Sequence, residues 1–154
     1  MKKAYFFWIA LAEAAGGLSG YLMREGMKIY ADSAVKPFMT PPAWVFPVAW
    51  TVLYVLMGIG AARVYSAPVS FDRTKGLRMF ALQLAVNFAW CFVFFMFREY
   101  MCAFGVLVTL LLLVLMMTVY FRRVDALSGY LQIPYIAWLI FAGYLNLGVW
   151  YLNA

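Results

Sequence analysis

Residues Met101–Phe121 read MCAFGVLVTLLLLVLMMTVYF, and Arg122-Arg123 follow at once. A helix rises about 1.5 Å per residue, so an uncharged run of about 20 residues crosses a hydrocarbon core about 30 Å thick. In that medium a single segment satisfies its own backbone polar groups only as a helix. The stretch therefore predicts a transmembrane helix whose end is marked by the arginine pair. Working outward, four more runs meet the same requirement: Ala4–Met23, Trp44–Val64, Met79–Phe97 and Leu127–Leu152. The predicted fold is an all-α integral membrane protein, a bundle of five transmembrane helices forming one domain over residues 1–154.

Composition agrees: 68% of the residues are hydrophobic and 12% charged, about half the charged share of a soluble domain. The absence of histidine removes the commonest metal ligand and general base, and no carboxylate pair is clustered for acid–base work. No metal site is expected. Cys91 and Cys102 match no zinc or redox spacing and read as two small buried hydrophobes. Gly16-Gly17 and Gly20 follow no strand, so they suit close helix packing and not a phosphate loop. A net charge of +6 would suit nucleic acid, but the cations punctuate the apolar runs and build no continuous basic surface. They report topology instead. The ends carrying Lys2, Lys3, Arg63, Arg73, Lys75, Arg78, Arg122 and Arg123 hold eight lysines and arginines, against four (Arg24, Lys28, Lys36, Arg98) on the other side. The expected arrangement is a multi-pass protein of the bacterial cytoplasmic membrane, N-terminus cytoplasmic, first loop and C-terminus outside. Lys2-Lys3, an apolar stretch and Ala12-Glu13-Ala14 loosely mimic a cleavable signal, but the run stays apolar beyond them and is read as a span.

The connections differ. Residues 24–43 form one long loop whose Pro37, Pro41 and Pro42 forbid a single regular helix. Residues 67–78 read as a polar, basic link, and the turns at Arg98-Glu99 and Arg122–Asp125 are tight enough to make their flanking helices antiparallel neighbours. Pro134 predicts a kink or an early turn at the start of the last span.

Each span has faces. Gln83, Asn87, Trp90 and Phe94 lie on one side of the third, while Ala81, Ala85 and Ala89 form a row of small residues on the other. Amides in hydrocarbon are costly unless they meet a partner or a cavity, so the first face should turn inward. The alanine face is left for another helix, which suggests a homodimer. In the last span Tyr135, Trp138, Ala142, Asn146, Val149 and Asn153 share a side; in the second, Trp50, Tyr54, Gly58, Ala61 and Tyr65 do. The first offers Ala12, Gly16 and Gly20 as a small-residue row, and the fourth reads as scaffold. Three aromatic and amide faces converging from separate helices either line a pocket or serve packing, with Trp8, Trp44 and Trp150 in the interfacial belt.

The stretch Lys36–Tyr54, KPFMTPPAWVFPVAWTVLY, resembles the signature of the TspO family, the tryptophan-rich sensory proteins also known as translocator proteins or peripheral-type benzodiazepine receptors. Gln83-Leu84, Asn87, Trp90 and Phe94-Phe95 are similar to its third helix. Pro134-Tyr135, Trp138, Ala142, Leu145-Asn146 and Asn153 are similar to its fifth. The resemblance implies a membrane receptor or sensor, often dimeric, that binds tetrapyrroles such as protoporphyrin IX and hydrophobic drug-like ligands, with no obligatory cofactor. It places Trp50, Asn87, Trp90, Tyr135, Trp138, Ala142 and Asn146 in the pocket, which the shared faces extend to Tyr54, Gln83 and Phe94. Tyr30, Pro41 and Pro42 would belong to the lid. It further implies transport or light-driven degradation of porphyrin, with Trp50 and Trp138 as the candidate reactive residues. Met39 and Ile29 stand where many members carry tryptophan, which leaves this lid less aromatic. The last span carries no basic residue after Tyr151, so sterol recognition is not expected. The competing class is a proton-coupled small multidrug exporter, for which the lone intramembrane Glu13 is the candidate.

Overall fold

The computed structural model describes the whole chain, Met1–Ala154. Seven α-helices follow one another: α1 (Lys2–Leu22), α2 (Arg24–Ser33), α3 (Val45–Ser66), α4 (Phe71–Cys91), α5 (Tyr100–Val124), α6 (Ala126–Tyr130) and α7 (Ile133–Asn153). A π-helical turn, Phe92–Met96, extends α4. The helices α3, α4 with its extension, α5, and α6–α7 are each long and apolar enough to cross a membrane. Helix α1, diluted by Glu13 and three glycines, meets the same measure only together with α2, from which it bends by 60°.

The leucine-rich run forms α5. Ala103, Leu107, Leu110, Val114, Met117 and Phe121 recur every three or four residues and are buried, giving one stripe that packs on α4 and α7. Val108, Leu112, Leu115, Met116 and Val119 stay exposed, which is unremarkable for a surface whose solvent is lipid. Helix α1 lies along α3, and small residues set how close it comes. A methyl added at Gly58 would sit 2.5 Å from the Ile9 Cα, and one at Gly16 would strike the Tyr54 ring. Of the small-residue row in α1, Ala12 is buried and Gly16 makes this contact, whereas Gly20 meets nothing.

Several boundaries differ from the sequence expectation. Helix α4 begins at Phe71 and not at Met79, because the Ser70 hydroxyl accepts from Arg73 N at 3.2 Å and Asp72 complements the first turn. The polar link is therefore mostly helix, and only Ala67–Ser70 connects. The first half of the long loop is the amphipathic α2, and the prolines confine irregular backbone to residues 34–44. The last span is two helices: Asp125 caps α6 through Ser128 N at 2.9 Å, and after a short turn Pro134 sits in the first turn of α7, where its missing N–H costs nothing. Cys91 is buried but Cys102 is exposed, since it falls on the lipid side of α5; the expectation of two buried cysteines fails there.

The basic end of the bundle is tied by ion pairs. Arg63 at the end of α3 grips Asp125 with Nε and a terminal nitrogen at 2.7 and 2.8 Å, a bidentate geometry. Arg123 lies 3.7 Å from Asp72.

Candidate functional site

Helices α3, α4 and α7 each turn an aromatic and amide face inward. From α4 come Gln83, Asn87 and Trp90, and from its π-helical extension Phe94, all buried, while Ala81, Ala85 and Ala89 are exposed. Gln83 is 0% exposed, Asn87 2%, Asn146 1% and Tyr135 1%. Amides buried this deeply need partners, and they find them across the bundle. The Tyr135 hydroxyl donates to Gln83 Oε1 at 2.8 Å and accepts from Asn87 Nδ2 at 2.9 Å. Gln83 Nε2 approaches Met57 Sδ of α3 at 3.5 Å. One phenol thus serves two amides a helical turn apart, locking α7 against α4.

A second polar link lies nearer the lid. The Trp90 indole donates to Asn146 Oδ1 at 3.1 Å, and Asn146 Nδ2 donates to the Tyr100 carbonyl at 2.7 Å. Above it Trp90 stacks on Phe94 with centroids 5.1 Å apart, and Tyr30 of α2 meets Phe94 edge-on at 5.3 Å. The π turn directs Phe94 and Phe95 at the lid, where Tyr30 packs against both; such turns recur at functional sites.

On the α3 side Trp50 is the hub. It stacks on Tyr54 at 5.5 Å and meets Tyr135 at 6.1 Å and Trp138 at 6.3 Å, both edge-to-face. Trp138, half-buried, also contacts Phe46 at 5.9 Å. Ala142 is half-buried on the same side of α7. No group of three or more acidic or cysteine side chains gathers anywhere as a metal cage.

The structure therefore gathers Trp50, Tyr54, Gln83, Asn87, Tyr135 and Trp138 into one cluster. Trp90, Phe94, Asn146 and Tyr30 form an adjoining layer under the lid. In the lid itself Pro42 is exposed and Pro41 half-buried, and the buried proline is Pro37, seated on Gly148. Sequence reasoning left out Pro37, Phe46, Tyr100 and the use of Asn153 as a lid clasp. Asn153 shares the inward face of α7, which was the available signal; Tyr100 enters through its backbone carbonyl, which leaves no trace in residue type.

The arrangement is that of a multi-pass membrane protein whose bundle encloses an aromatic cluster crossed by satisfied amides, under a folded loop. Residues 8–152 match the TspO/MBR family, and the chain belongs to that family. It is 42% identical over 154 residues to protein CrtK of Rhodobacter capsulatus, covering 99% of this chain and 95% of that one. Against a tryptophan-rich sensory protein of Cereibacter sphaeroides it is 35% identical, covering 99% and 94%. Against the human translocator protein it is 36% identical over 137 residues, covering 86% and 79%. The family places the chain among membrane proteins of the sensor or receptor type.

Proposed function

We propose that this protein binds tetrapyrroles, protoporphyrin IX among them, and other flat lipophilic ligands between α3, α4 and α7. The observation that carries the reading is the Trp50–Trp138–Tyr135 cluster joined to Gln83 and Asn87. Indoles and a phenol offer faces and edges to a planar macrocycle, and amides at their back can exchange one another for a ligand's ring nitrogens. At the lid Lys36, over the Tyr30 ring at 5.1 Å, supplies a cation for a carboxylate. Tyr30 and the stretch holding Pro41 and Pro42 close the site from above. The eight cations at the Arg63–Asp125 end, against four at the other, support a cytoplasmic N-terminus in a bacterial inner membrane. Such binding is the first step of either sensing or transport.

The test is titration of purified protein with protoporphyrin IX, followed by tryptophan quenching. Asn87→Ala and Trp138→Phe should each weaken affinity several-fold, since a hydrogen bond or an aromatic contact contributes about 1 kcal/mol. Unchanged affinity in both variants refutes this placement. Porphyrin absorbance under illumination, with and without oxygen, separates a binder from a light-dependent catalyst at Trp50 and Trp138. Proton-coupled export is the second reading, favoured by Glu13, whose Oε1 is buried and unpartnered. Unaltered drug efflux in Glu13→Gln would dismiss it.

A further inference from the structure

We propose that ligands reach this site sideways from the lipid, between α3 and α7, with the Trp138 indole as the gate, and that the loop over the site is a fixed cover. The inference rests on the binding reading above and specifies its route.

The cover is sewn to α7. Val35 N donates to Asn153 Oδ1 at 2.9 Å, Asn153 Nδ2 donates back to the Val35 carbonyl at 2.8 Å, and the Tyr144 hydroxyl donates to the Phe38 carbonyl at 2.6 Å. Between them Pro37 is buried on Gly148, where a methyl would lie 2.5 Å from the Pro37 Cβ. Residues 35, 37 and 38 thus descend α7 past 153, 148 and 144, and the strip ends in a turn closed by Thr40 N on the Pro37 carbonyl at 3.3 Å. Lys36 Nζ folds back onto the Ala31 and Ala34 carbonyls at 2.9 and 3.2 Å. Tyr30 wedges against Phe94 and Phe95. Lifting the cover off α7 would have to break the contacts of residues 35, 37 and 38 together.

The α3–α7 side is built differently. The backbones of α3 and α7 barely approach, although each packs closely on other helices. A groove of about 520 Å³ separates them, with Ala49, Leu53, Pro134, Ala137, Trp138 and Phe141 on its walls. It is an open groove and not an enclosed cavity. Both helices are spans, so the groove opens on hydrocarbon. Its inner end is the site itself, because Trp138 lines the groove and also touches Trp50. Rings bridge the gap: Trp50 meets the hydrogen-bonded Tyr135 at 6.1 Å, while Trp138 meets Phe46 at 5.9 Å and Trp50 at 6.3 Å. Trp90 is tied by its indole N–H to Asn146, whereas no hydrogen bond holds Trp138. Swinging Trp138 is a side-chain rotamer change, while lifting the cover is a local unfolding event, and the two are separated by orders of magnitude in time. A lipophilic ligand already concentrated in the bilayer meets the quicker door.

The experiment compares two obstructions by stopped-flow tryptophan quenching, with protoporphyrin IX delivered in liposomes. Ala137→Phe narrows the groove without touching the inner cluster. A Val35→Cys/Asn153→Cys pair, oxidised in a Cys102→Ala background, replaces the clasp by a covalent one. Since a gate alters rates and not the end states, Ala137→Phe should slow association and dissociation together by about tenfold and leave Kd within about twofold. The oxidised clasp should leave both rates unchanged. If Ala137→Phe does not fold, Val52→Phe on the exposed rim of the same groove takes its place. Slowing by the oxidised clasp overturns the proposal, as do wild-type rates in the groove variants. Absence of equilibrium quenching in the wild-type protein instead overturns the binding reading, and the route with it.

Discussion

Tyr135 stands out among single residues because one hydroxyl satisfies two buried amides. Tyr135→Phe keeps the ring against Trp50 but strands Gln83 Oε1 and Asn87 Nδ2 in an apolar interior. An unsatisfied buried polar group costs about 1–3 kcal/mol, so thermal unfolding in detergent should show clear destabilisation. A double change, Tyr135→Phe with Gln83→Leu, should recover part of the loss, because a removed pair costs less than a broken one. An unchanged melting temperature in Tyr135→Phe would show that the amide bonds contribute nothing beyond packing. The residue types and their faces were readable from spacing. That a single phenol joins Gln83 to Asn87 was not, since it depends on the relative height of two helices some fifty positions apart in the chain.

Among the elements, the junction of α3, α5 and α6 has a pH signature. Asp125 caps α6 and pairs with Arg63, and the Arg63 guanidinium with the Ser128 donors holds its carboxyl well below the ordinary carboxylate range. A depressed folded-state pKa adds stability that is complete above the unfolded value, about 3.9 for aspartate, and is lost as pH falls toward the folded one. The melting temperature of the wild-type protein should therefore decline as the medium is acidified below about pH 4. Asp125→Asn should start lower at neutral pH and flatten that decline; an identical acid-side slope would mean that Asp125 does not act through its charge. The helices themselves were legible wherever apolar runs were long. Their ends were not: α2 and the first two turns of α4 are polar on most sides and become helical through caps and packing. Irregularity at the end of α4 was likewise hidden, since Phe92–Met96 has ordinary helix-compatible residues.

At the scale of the whole molecule, two surfaces are left uncommitted by the fold. One is the α3–α7 groove. The other is the α4 strip of Ala81, Ala85 and Ala89, all exposed, where a second helix can approach closely. We propose it as the contact between two copies of the chain. Ala85→Cys should yield a disulfide-linked dimer in membranes, and Ala85→Phe should shift the detergent-solubilised protein toward monomer on size-exclusion chromatography. No cross-link at Ala85 together with an unchanged elution would place any dimer elsewhere.

From the sequence alone came five apolar spans, the inward sides of the helices that carry tryptophans and amides, and the resemblance of Lys36–Tyr54 to a family signature. These are local properties, set by hydrophobic length and helical period. Tertiary structure alone decided that α2 folds over the bundle, that Asn153 and Tyr144 fasten the strip on either side of Pro37, and that α3 and α7 stand apart with Trp138 between them. Those features depend on helix tilt and height, which arise from close contacts such as Gly58 on Ile9 and Gly148 on Pro37. A periodic pattern records which face a residue occupies, and it is silent on how near the neighbouring helix comes.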